Sequence, residues 1–182
     1  MTDLRTHKIA PAILGAALAL AATGATAQGQ DFDKDWTGPY GGVQLGYGDL
    51  DGDSGLGDAD GLIGGAHLGY DRDFGDWVVG GEVDFDITDI NAAGGDIDRI
   101  GRAKLRIGRD LGNSLVYATG GPAFADGSGS ETGWVIGGGY AFALTNGARI
   151  GAEVLHHEFE DFAGAGQDAS VTSITARLSF DF

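Results

Sequence analysis

The chain has no cysteine, three prolines and one methionine in 182 residues. Without cysteine there is no disulfide framework and no thiolate chemistry. Bases are scarce as well: 11 Lys and Arg stand against 27 Asp and Glu, a formal charge of −16. That balance leaves little to neutralise phosphates, which argues against nucleic acid as a partner. It also fits poorly with a peripheral protein held on anionic lipid. No run of about 18 apolar residues follows Ala27, so no helix there is long enough to span a bilayer.

The one long apolar run comes first. Arg5, His7 and Lys8 precede Ile9–Ala22, and the small-residue stretch Thr23–Ala27 follows. A charged start, a short apolar core and an Ala-x-Ala end make residues 1–27 a secretory signal peptide, cleaved after Ala27. Removal takes Asp3, Arg5 and Lys8, leaving 26 acids and 9 bases, a net charge of −17. Residues 28–35 read as a short polar periplasmic leader.

Glycine is abundant at 35 residues, without a collagen period. The clearest pattern is at the other end of the chain. From Ser170 to Phe182, alternate residues Ile174, Ala176, Leu178, Phe180 and Phe182 grow steadily more apolar. Between them lie Ser173, Thr175, Arg177, Ser179 and Asp181. Period two marks a strand with one dry face and one wet face. Nothing follows to cover the dry face. A bilayer covers it, provided every backbone group finds a partner within the protein, and only a closed barrel achieves that with strands.

Seven more strands of about ten residues meet that demand. They are Tyr40–Gly48, Leu62–Asp73, Trp77–Thr88, Ile97–Arg109, Leu115–Ala125, Gly133–Ala143 and Ala148–Glu158. Ten residues suit a tilted strand crossing hydrocarbon. In Trp77–Thr88 the residues Trp77, Val79, Val83, Phe85 and Ile87 face lipid, against Glu82, Asp84, Asp86 and Thr88. The facing of Leu115–Ala125 is ambiguous; Leu115 and Tyr117 outward is the preferred register. Three connections are short, around Gly75, Gly112 and Asn146. Asn146-Gly147 is a hairpin signal. Four read as longer acidic loops: Asp49–Gly61, Asp89–Asp96, Asp126–Thr132 and Phe159–Asp168. Short periplasmic turns and long exterior loops are the outer-membrane arrangement. The expected fold is all-β: an eight-stranded antiparallel up-and-down transmembrane barrel over residues 36–182.

Several segments resemble a known family: Trp36-Thr-Gly-x-Tyr-x-Gly-Gly, Tyr117-Ala-Thr-Gly-Gly121, Gly133-Trp-Val-Ile-Gly-Gly-Gly, Ala152-Glu153 and Arg177-x-x-Phe-x-Phe. Together they are similar to the porin-like outer-membrane β-barrels, the small opacity-type surface proteins of proteobacteria related in architecture to OmpA-type barrels. The resemblance implies outer-membrane localisation among lipid and lipopolysaccharide. It also implies that barrel-assembly machinery reads the last strand through Leu178, Phe180 and Phe182.

The inward faces carry charge. With a hairpin turning near Gly94, Glu82 falls opposite Arg106, Asp84 opposite Lys104 and Asp86 opposite Arg102; Glu153 and Arg177 form a similar bridge. Opposite charges across a ladder stabilise it by roughly 0.2–1 kcal/mol. Eight strands leave room for side chains but not for a channel, so the charges read as a plug and not as an ion path. A structural or surface-interaction role follows. The rivals are a narrow porin passing small solutes and a soluble secreted Gly-rich β-protein.

Other constellations are weak. Asp49, Asp51, Asp53 and Asp60 have partial calcium-loop spacing, but Ser54 stands where glycine is needed and no helices flank the stretch. Any calcium bound there would be held weakly. His156 and His157 are adjacent on a strand, so they point to opposite faces and cannot share a metal. A hydrolase would need His67 or His157 beside Ser173 or Ser179, and no spacing supports that. The expectation is therefore no enzyme and no cofactor.

Overall fold

The computed structural model describes residues 33–52, 59–92, 95–127, 130–162 and 167–182. The expected signal peptide over residues 1–27, most of the expected leader and Asp53 lie outside them. Eight strands follow in order: β1 (Gly38–Gly52), β2 (Ala59–Asp73), β3 (Trp77–Ala92), β4 (Gly95–Asp110), β5 (Ser114–Gly127), β6 (Ser130–Ala143), β7 (Ala148–Phe162) and β8 (Gln167–Asp181). Each pairs antiparallel with the next, and β8 pairs with β1, from Tyr40 against Asp181 to Gly52 against Ala169. The ring has no free edge, so every strand finds ladder partners on both sides.

Apolar side chains point outward. Val43, Leu45, Leu68, Val83, Phe85, Ile87, Leu105 and Ile107 are among the exposed large hydrophobics, with Leu105 75% exposed. A continuous apolar outer surface of this kind is not that of a water-soluble β-protein. Polar side chains point in, and the lumen is narrow enough to bury them.

Sequence and turn chemistry set the short-turn end. Asp73 accepts from the Gly75 N–H at 2.7 Å, and Asp110 accepts from the Gly112 N–H at 2.8 Å. Both glycines hold positive φ, 90° and 84°, where a Cβ would be strained. The same Asp-x-Gly device thus closes two hairpins. The third uses Asn146-Gly147, with the Asn146 side chain accepting from Ala148 N–H at 3.2 Å.

Three expectations are corrected. The strands run 14–16 residues, not about ten. The extra length lies at the end away from the short turns, where the four acidic segments were read as loops. Most of their residues continue the ladders: β3 reaches Ala92 and β4 begins at Gly95. Asp and Gly disfavour strands locally, but pairing with a neighbour overrides that preference.

The β3–β4 register differs from the one expected. Glu82 lies opposite Lys104, Asp84 opposite Arg102 and Gly80 opposite Arg106, with an irregularity between Ile87 and Ile90. The outermost pair is Ala92 with Gly95, one residue of register away from a centre on Gly94, and the irregularity adds a further residue of offset.

The facing of β5 is the reverse of the preferred one. Leu115 is 0% exposed and Tyr117 6%, whereas Val116 is 49% exposed and Phe124 52%. Leu115 and Tyr117 pack inside with Trp36, Val78 and Ala143.

Candidate functional site

Among the described residues, alternation on β2, β3, β4, β7 and β8 brings ten Asp, Glu, Lys and Arg side chains into the lumen. Asp71, Glu82, Asp84, Asp86 and Glu153 are buried there with Arg102, Lys104, Arg106, Arg149 and Arg177. Five acids meet five bases, so the belt is neutral overall. An unpaired charge in such a place costs several kcal/mol, and the pairing is correspondingly dense.

Lys104 is at the centre. Its Nζ lies 3.0 Å from Glu82, 2.7 Å from Asp84 and 2.7 Å from Glu153. Those three carboxylates each bring an oxygen within 4.8 Å of the others, the geometry of a cation cage. The lysine ammonium is the cation they hold, so the donor set is already engaged. Arg102 bridges Asp84 at 2.7 Å and Asp86 at 2.6 Å. Its Nε donates to His157 Nε2 at 2.7 Å, while His157 Nδ1 faces the Val171 carbonyl at 3.1 Å. That pair of contacts makes His157 a neutral Nδ1–H tautomer. Gln44 donates to Asp86 at 2.7 Å.

Arg177 reaches Glu82 at 2.8 Å and Glu153 at 2.7 Å. The Glu153–Arg177 bridge expected from the sequence is therefore present. The three β3–β4 pairs are present too, as diagonal contacts: Asp86–Arg102, Asp84–Lys104 and Glu82–Arg106, the last at 3.5 Å. Each base spans two acids, and for that reason a register shift of two residues preserves every partnership.

Tyrosines join this belt to a lower layer. Tyr40 donates to Glu82 at 2.7 Å and accepts from Arg106 at 2.7 Å; Tyr117 donates to Glu153 at 2.9 Å. The Arg106 guanidinium lies 4.0 Å from the Tyr117 ring centroid. Arg149 pairs with Asp71 at 2.9 Å and with Asp181, and lies 4.9 Å from the Trp36 ring. Between Tyr40, Tyr117, Tyr140, Arg106, Arg149 and Arg177 a cavity of about 20 Å³ remains, room for roughly one water.

Trp36 sits below this layer. It is fully buried, its backbone N–H donating to Asp73 at 3.2 Å and its indole N–H to Asp110 at 3.1 Å. Lys34, just before it, pairs with Asp181 at 2.7 Å. Asp35 is outside the barrel. It accepts from the Thr37 N–H at 2.8 Å, which holds its carboxyl below the usual range. At the far end Ile63, Ile100, Ala125, Val135 and Val171 are buried on inward positions.

The remaining candidates separate. Asp49 lies on β1 directly opposite Asp60 of β2, and Asp51 pairs through its backbone with Ser170. These are ladder positions on extended strands, not successive points on one chelating loop. His157 is buried while His156 is outward, bonded to Thr172 at 3.0 Å, as adjacent strand residues must be. His67 Nε2 meets Ser179 Oγ at 2.7 Å over Gly42 of β1, which pairs with both, a proximity no sequence spacing indicated. Its Nδ1 has no partner to orient the ring, and no described acid completes a triad. Leu178, Phe180 and Phe182 face outward near the short-turn end, with Phe182 73% exposed.

Sequence reasoning missed Trp36, Tyr40, Asp71, Tyr117 and Arg149 as parts of the belt. Period two carried a signal for two of them: Asp71 follows outward Tyr70, and Arg149 precedes outward Ile150.

A family model for the outer membrane protein beta-barrel domain matches residues 15–182. No curated protein gives a sequence match. Among solved structures, Neisserial surface protein A is similar over 80% of this chain and 98% of its own, at 14% identity and a TM-score of 0.60. Ail, the attachment invasion locus protein of Yersinia pestis, is similar over 79% of this chain and 99% of its own, at 16% identity and a TM-score of 0.50. At such identities the likeness concerns the fold.

Proposed function

The chain belongs to the outer-membrane β-barrel family, and from that premise we propose that it is a closed surface barrel with a structural or surface-interaction role. Its place is the outer membrane. The observation that carries the closed lumen is the neutral belt of five acids and five bases, with Trp36 below it and inward aliphatic residues beyond it. A solute on the barrel axis would have to break several charge-assisted bonds at once.

With nothing passing through, the working surface is the outward end of the long strands. There Asp49, Asp60 and Glu158 are exposed. The proposal takes residues 1–27 as the export signal and the outward Leu178, Phe180 and Phe182 as the face presented to assembly machinery. It includes no catalysis: His67 and Ser179 are buried and lack an orienting acid.

The cysteine-free chain makes the orientation simple to test. A single cysteine at Asp60 should react with a membrane-impermeant maleimide on intact cells. One at Asn146 should react only after the envelope is opened. The reverse pattern would overturn the proposed orientation. The rival reading, a narrow pore, draws on the polar lumen and predicts ionic current.

A further inference from the structure

Bases on the outer wall are few. Of the described Lys and Arg, five are in the belt and Lys34 is tied to Asp181 in the mouth. Arg72, Arg99 and Arg109 remain. Arg99 belongs to the far end, level with Ile87 and Asp126. Arg72 and Arg109 are both at the short-turn end and flank the same strand: Arg72 lies opposite Val79 and Arg109 opposite Trp77. Two strand spacings across and two residues along β3 separate their backbones, about 12 Å in all.

Each guanidinium lies near an exposed aromatic ring. Arg72 is 5.8 Å from the Phe74 centroid, and Arg109 is 5.5 Å from that of Trp77. Phe74, Trp77 and Leu111 are all outward and exposed. Arg109 also meets Asp76 at 3.4 Å, but that pair is solvent-facing, 48% and 76% exposed, and such pairs hold weakly. No described carboxylate pairs with Arg72. In a chain of −16, this is the one sector of the described outer wall where two bases and a cluster of apolar rings meet.

We infer that this face of β2–β4 binds an anionic glycerophospholipid, with its phosphate between Arg72 and Arg109 and its acyl chains along Trp77 and Val79. Amphipathic rings belong at the headgroup level. Arginine suits phosphate because its planar fork offers several donors and stacks on aromatics. The site rests on the orientation proposed above, which turns this rim toward the periplasmic leaflet. Binding in micelles is read without reference to orientation, so either idea can fail alone.

The test uses folded full-length protein in zwitterionic micelles doped with phosphatidylglycerol, and native mass spectrometry to count retained lipid. Wild type should hold at least one phosphatidylglycerol. The double variant Arg72→Gln, Arg109→Gln should lose occupancy about tenfold, and Arg99→Gln should match wild type. Phosphatidylcholine should be retained less by wild type and equally by all variants, and inorganic phosphate should not displace the lipid. Equal retention of phosphatidylglycerol by wild type and double variant overturns the site. So does equal retention of phosphatidylcholine and phosphatidylglycerol by wild type, or displacement by inorganic phosphate. If the double variant does not run as a folded barrel on an unheated gel, the wild-type comparison of the two lipids decides.

Discussion

Lys104 holds the lumen together because three carboxylates from two strands converge on one ammonium. Replacing it with methionine keeps much of the volume and leaves Glu82, Asp84 and Glu153 facing one another. The expected loss is about 3–5 kcal/mol, measured by urea unfolding in lipid vesicles. Because the site is buried, the loss should change little with salt. Trp36→Ala removes the buried indole and its hydrogen bond to Asp110, with an expected loss of about 3–5 kcal/mol. At this scale the sequence was informative about which way each charge points. Glu82, Asp84, Arg102 and Lys104 were placed inward by alternation alone. It was silent on convergence: that Glu153, far along the chain, reaches Lys104 depends on ring closure, which no local pattern encodes.

Among the elements, β5 and the β1–β8 seam are the most exacting. β5 was ambiguous because both of its faces carry apolar residues. Leu115 and Tyr117 are inside since the bottom of the lumen is itself apolar, around Trp36. Leu115→Ala should therefore cost about 2–5 kcal/mol and Val116→Ala well under half of that, compared by the same unfolding assay. An outward Leu115 would invert the order. At the seam, Gly42 and Gly46 lie so close to β8 that a Cβ on either would collide with the backbone at Leu178 or Ile174. Gly42→Val should block closure, and the protein should then run at the same position on a gel with and without boiling. Strand lengths were the least legible feature. Asp-rich ends look like loops, and only pairing with a neighbour extends them as strands.

On the scale of the whole molecule, a neutral belt means that the chain's entire net charge of −16 lies outside it. The number of strands, their antiparallel order and, for every strand except β5, the lipid-facing side were legible, because a bilayer forces period two on every crossing segment. What period two cannot show is whether the ring is filled. Single-channel recording of the purified full-length barrel in a planar bilayer tests that directly. The account predicts a flat trace with no unit steps for the wild type. Discrete, reproducible conductance steps from the folded wild-type protein would contradict it.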